Sequence, residues 1–197
     1  DITLNSTGSA SGVGIVTINA GEVTASVNNN ISETVWLTLT NHVPLAGVTT
    51  TSSQDLYFAP AVADRYVLID PTDITVDQVA TIDVEAHDPF GNRDFGFGGT
   101  VTVDYANNAG ATLNCIPASC DVTLVNGAGS IQLTNSKAET IDLSMSGPAP
   151  VLTATSTQDI IFDPGAPTNY EIIDPSDGTV DAAVAVTVEV HDQYDNI

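Results

Sequence analysis

Residues 170–196 read YEIIDPSDGTVDAAVAVTVEVHDQYDN, and residues 66–92 read YVLIDPTDITVDQVATIDVEAHDPFGN. The two stretches start 104 residues apart, and 13 of their 27 positions are identical. A repeat whose period is the length of a small domain marks a tandem array. Within each copy apolar residues alternate with polar ones, as in Val79–His87, where V-T-D-E-H interleaves with A-I-V-A. Period-two alternation over short runs broken by Gly, Pro, Asn and Asp is the pattern of half-buried strands. Helix patterns are nearly absent.

The unit between the two copies can be followed in order. Tyr66–Asp70 is a strand ended by Asp70-Pro71, where proline removes a ladder donor and forces a kink. The D-P-[TS]-D motif (Asp70/Asp73, Asp174/Asp177) reads mainly as an Asx-type turn. Ile74–Asp77 resumes that strand, and further strands follow at Val79–His87, Thr100–Tyr105, Val122–Val125, Ser130–Thr134, Thr140–Ser146 and Val151–Phe162. A hairpin turn is expected at Asn126-Gly127-Ala128-Gly129, and a proline corner at Gly147–Pro150. About seven strands in about 100 residues predict an all-β chain of tandem Ig-like Greek-key β-sandwich modules.

The preceding unit repeats the order. Val16–Leu39 matches Val122–Met145 106 residues on, with Gly21 over Gly127, Glu33 over Glu139 and Leu37 over Leu143. Thr3-Leu4-Asn5-Ser6 aligns with Thr112-Leu113-Asn114-Cys115, which puts a serine where the complete unit has a cysteine. Trp36 is expected to point outward if Val35 and Leu37 face the core. The phase of the repeat divides the chain into residues 1–61, the C-terminal part of a module, residues 62–165, a complete module, and residues 166–197, the N-terminal part of a further one. A half-sandwich exposes sheet edges and an apolar face. The expected partners are therefore further copies of the chain, or more repeats of it, end to end.

Several motifs recur in order. They are D-x-[FY]-x-N (Asp88–Asn92 and Asp192–Asn196), G-x-V-T-V at Gly99–Val103, N-G-A-G-S-I-Q-L-T at Asn126–Thr134, T-I-D-L-S-M-S at Thr140–Ser146, and F-D-P-G-A-P at Phe162–Pro167. Together they resemble the bacterial immunoglobulin-like tandem repeats of the invasin and intimin type and related large adhesins. That resemblance implies β-sandwich rods at the cell surface or outside the cell. The acidity of this chain, and Asp195 where the motif usually has Gly, depart from the family pattern.

The chain has 25 acidic residues against 3 basic ones, a formal net charge of −22. Such a surface repels nucleic acid and anionic membranes, and no apolar run is long enough for a membrane span. It attracts cations, and short Asp residues in turns are the usual material of calcium sites. Asp88, Asn92 and Asp94 offer three oxygen ligands in one loop, and Asp192, Asp195 and Asn196 offer them in its counterpart. Asp163, on the linker, is a candidate to converge with Asp192 and Asp195 on one calcium ion at the joint. Hydrogen-bonded turns are the alternative reading. Cys115 and Cys120 enclose a short turn and are expected to form a local disulfide, as in an oxidising compartment; buried free thiols are the alternative.

His87 and His191 each stand beside an Asp, but no serine in a G-x-S-x-G turn accompanies them, so no enzyme activity is expected. The leading expectation is an extracellular structural protein: a cell-surface fibre, filament or adhesin stalk, stiffened by short proline-bearing linkers (Ala59-Pro60-Ala61 and Asp163–Pro167) and by calcium. The alternatives are a glycan- or surface-binding adhesin module and an accessory region of a secreted enzyme.

Overall fold

The structure is a computed structural model and describes residues 1–42, 47–106, 113–147 and 152–197. The expected corner at 148–150, and Val151 and Thr112 of the expected matches, lie outside the described residues. Among the described residues the complete module holds nine strands: β5 (Arg65–Leu68), β6 (Ile74–Thr75), β7 (Ala80–His87), β8 (Gly99–Ala106), β9 (Asn114–Ile116), β10 (Asp121–Leu124), β11 (Ala128–Thr134), β12 (Glu139–Ser146) and β13 (Gln158–Asp163). They form two sheets, β5-β7-β11-β9 and β10-β8-β12-β13-β6. All pairings are antiparallel except β13 with β6. Alternation builds the space between the sheets. Ile82 and Val84 of β7 face Val101 and Val103 of β8, Ile141 and Leu143 of β12 and Phe162 of β13 in one buried core. Each such side chain contributes about 1.5–3 kcal/mol by leaving water.

The count exceeds the expected seven for two physical reasons. The Asp70-Pro71 kink moves the chain from one sheet to the other, so one expected strand becomes β5 and β6 in different sheets. Asp73 supports that crossing rather than a local Asx turn, because its Oδ1 accepts the N–H of Ile161 in β13 at 2.8 Å. The second addition is β9, formed by the cysteine loop, where Cys115 and Cys120 are bonded with Cα atoms 5.5 Å apart. The last strand is shorter than expected, and Thr153 before it makes only an isolated bridge to Arg65.

Residues 2–57 form one four-stranded sheet, β2-β1-β3-β4, from β1 (Ile2–Ser6), β2 (Gly14–Val16), β3 (Thr34–Asn41) and β4 (Ser53–Tyr57). Its order repeats β10-β8-β12-β13. The register corrects the sequence alignment. Leu39 of β3 pairs with Leu4 as Met145 of β12 pairs with Val103, so β1 takes the place of β8 and not of the cysteine loop. The first unit therefore passes from β1 to β2 by a shorter loop and has no counterpart of the disulfide region. Val35 is buried and Trp36 is exposed, as alternation requires. Residues 169–191 form one hairpin, β14 (Asn169–Ile173) with β15 (Thr187–His191), equivalent to β5 with β7. The two partial units thus carry opposite sheets of the sandwich.

Candidate functional site at the module joints

The loop after β7 folds around Asp88, which is 1% exposed. Its carboxylate accepts the backbone N–H groups of Phe90 (2.9 Å) and Asn92 (2.8 Å) and the side-chain amide of Asn92 (2.9 Å). It also accepts the N–H of Ala61 in the linker at 2.9 Å. Burial opposes ionisation of this carboxyl, but these donors outweigh burial and hold it down at about 2. Asn92 then reaches across the joint. Its Nδ2 donates to the carbonyl of Asn30 (2.9 Å), and its Oδ1 accepts the N–H of Ser32 (2.9 Å). One side-chain amide thus pairs with the preceding module's backbone as a strand would.

The second joint repeats the arrangement atom for atom. Asp192, 3% exposed, accepts the N–H groups of Gly165 (2.8 Å), Tyr194 (2.8 Å) and Asn196 (3.0 Å) and the side-chain amide of Asn196 (2.8 Å). Burial again opposes ionisation, and the Asn196 and backbone bonds again hold the carboxyl at about 2. Asn196 Nδ2 donates to the carbonyl of Ser136 (3.0 Å), and its Oδ1 accepts the N–H of Ala138 (2.8 Å). Here Asp77 of the complete module also accepts from the Tyr194 hydroxyl and the Gln193 amide.

The receiving turn is a repeated device that the motif reading missed. Asn29 accepts the N–H of Ile31 and donates to Glu33, as Asn135 accepts the N–H of Lys137 and donates to Glu139. These bonds shape the turns that present residues 30 and 32, and 136 and 138, to the next module. The signal was available, since Asn29 and Glu33 stand 106 residues before Asn135 and Glu139.

This geometry revises the candidate calcium ligands. The oxygens of Asp88 and Asp192, and those of Asn92 and Asn196, face N–H donors that an ion would have to displace. Asp94 is likewise engaged, with Oδ2 accepting the N–H of Ala63 (3.0 Å) and Oδ1 that of Gly96 (2.8 Å). Asp163 ends β13 with an exposed side chain, and it does not converge with Asp192 and Asp195. Asp195 lies instead against His191, 2.9 Å from its Nδ1. Among the described residues, the one group of three or more His, Cys, Asp or Glu side chains close enough to share an ion is Glu171, His191 and Asp195.

No protein-family model and no curated protein matches the sequence. Solved structures do resemble the fold. The chain is similar to InvD of Yersinia pseudotuberculosis. That likeness has a TM-score of 0.44 at 14% identity and covers 100% of this chain and 61% of InvD. Invasin, a bacterial integrin-binding protein, is similar at TM-score 0.41 and 15% identity, over 99% of this chain and 40% of invasin. A β-glycosidase from Bacteroides vulgatus is similar at TM-score 0.44 and 11% identity, over 81% of this chain and 21% of the enzyme. These likenesses concern the fold alone, and the assignment of an immunoglobulin-like sandwich rests on the strand order and register above. Among the described residues, no helix is long and apolar enough to cross a membrane.

Proposed function

We propose that this chain is a length of an extracellular, tandem-module rod, a fibre or stalk at a cell surface. The observation that carries the reading is the recurrence of one hydrogen-bonded knot at both joints, using the same residue types and the same atoms. A carboxylate ties the linker to the loop of the following module, and an asparagine ties that loop to the turn of the preceding one. Three pieces of chain are fixed by two side chains, which limits bending and is what a load-bearing rod requires. The local disulfide suits an oxidising location, and the high negative charge keeps an extended rod soluble.

The partial units supply the reason for continuation. Tyr66, Val76 and Val84 are 3%, 2% and 0% exposed, while their counterparts Tyr170, Val180 and Val188 are 81%, 93% and 56% exposed. An apolar face of that kind calls for the opposite sheet, from another repeat or another copy. Electron microscopy of the native material should show long uniform filaments. Small-angle scattering of the 197-residue chain should give an extended, rigid particle, and Asn92→Ala with Asn196→Ala should broaden its distance distribution. Compact native particles, or an unchanged distribution in the double variant, would remove the reading. Joints closed by N–H donors should also melt at the same temperature with and without about 1 mM calcium, the range in which extracellular calcium modules bind.

A further inference from the structure

On the outer face of β5 and β7, Glu85 is neutralised by bases. His87 Nε2 lies 2.7 Å from its Oε2, and Arg93 Nη1 lies 3.2 Å from its Oε1. One repeat later the glutamate and the histidine remain as Glu189 and His191, but the surroundings change. Arg93 is replaced by Ile197 and Arg65 by Asn169, while Val67 becomes Glu171 and Gly91 becomes Asp195. The same face has lost both arginines and gained two carboxylates. Glu171 stands directly opposite Glu189 in the β14–β15 ladder, where like charges repel.

His191 lies among these acids with its side chain 5% exposed. Its Nδ1 is 2.9 Å from Asp195 Oδ1, while Nε2 is 3.4 Å from Glu189 Oε2 and 3.6 Å from Glu171 Oε2. That buried Nε2 has no hydrogen-bond partner. Both ring nitrogens of His191 thus face carboxylates. One ligand atom each of Glu171, His191 and Asp195 lies within 4.8 Å of the other two, close enough to share an ion. Asp195 also takes a positive φ of 70°, where Gly91 has 91°; a side chain retained there carries a backbone cost that its contact with His191 helps to offset.

We propose that Glu171, His191 and Asp195 bind a divalent transition-metal ion, zinc in the first instance, on the face that carries an arginine one repeat earlier. Glu189, 3.4 Å from Nε2, adds a further carboxylate beside the group. The fourth position is open to water or to a group from a neighbouring module. The imidazole donor selects zinc over calcium and magnesium, which prefer all-oxygen sites.

The test is calorimetric titration of the full 197-residue chain with zinc chloride, paralleled by cobalt(II), whose d–d absorption reports tetrahedral geometry. One ion per chain is expected. His191→Gln and Asp195→Gly should each abolish binding. Glu171→Val and Ile197→Arg restore residues that the complete module already tolerates, so the fold is kept and binding should be lost. Glu85→Gln should change nothing. Absence of binding by the folded wild-type chain, undiminished binding by Glu171→Val, or calcium binding as tight as zinc would each overturn the proposal.

Discussion

Asp88 gathers three backbone N–H groups and one side-chain amide onto two oxygens, and this makes it the most consequential polar residue of the first joint. Asp88→Asn presents an NH2 group to donors that need an acceptor, so it should cost about 2–3 kcal/mol in denaturant unfolding at neutral pH. The pH dependence has a definite sign. Because the folded carboxyl sits at about 2, below its ordinary value near 4, its contribution is fully present above pH 4 and is lost as pH falls towards 2. The stability gap between wild type and Asp88→Asn should therefore shrink across that window; a constant gap would mean that the carboxylate charge is not what the joint uses. The D-x-[FY]-x-N residues were legible as a repeated polar motif, and turns held by hydrogen bonds were one of the two readings open. What the motif could not show is that Asn92 and Asn196 point across the joint, because their partners are backbone groups some 60 residues away.

At the scale of elements, the β10–β11 connection was foreseen from Asn126-Gly127, and both residues take positive φ, 54° and 74°. The turn also packs tightly, since a Cβ on Gly127 would meet the carbonyl oxygen of Asp94 at 2.2 Å. Gly127→Ala should cost more than the roughly 1 kcal/mol of left-handed backbone strain, because the loop that carries Asp94 must also move. Thermal melting of the variant checks this. In the first unit the same turn falls on Ala20-Gly21, with φ of 52° and 95°. Ala20 carries strain there that asparagine tolerates better, so Ala20→Asn should stabilise the first sheet by about 0.5–1 kcal/mol, read by local hydrogen exchange. The disulfide belongs to this scale too. β2-β1-β3-β4 is built without a cysteine loop, so the bridge is a local staple. Cys115→Ser with Cys120→Ser should leave the strand pattern intact and cost at most about 2 kcal/mol, the loop-entropy value for so short a ring.

For the whole molecule, the two partial units are complementary. Residues 2–57 supply one sheet, and β14–β15 supplies the leading strands of the other. The stretch 22–28, equivalent to β11, is not a strand here, and no equivalent of β7 stands beside it among the described residues. Joined head to tail, two copies should pair these segments in the register of β11 with β7. Ile131 opposite Ile82 then becomes Ala25 opposite Val186. Facing residues of an antiparallel pair have Cα atoms about 4.5–5.5 Å apart, so an Ala25→Cys, Val186→Cys chain should oxidise to a ladder of cross-linked multimers; cysteines displaced by one residue should not. Period, alternation and turn chemistry are local properties, and from them alone the sequence determined an all-β tandem array, its phase and its main hairpin. Only the tertiary structure decided that β1 stands for β8, that Asp163 lies apart from Asp192 and Asp195, and that His191 gathers Glu171, Glu189 and Asp195. Each of these depends on which residues face one another across a ladder or a joint, and that register is set by pairing between distant segments. In Tyr170–Asn196, the alternation written along the chain places Glu171, Glu189 and His191 on one face, but only the β14–β15 pairing makes them neighbours.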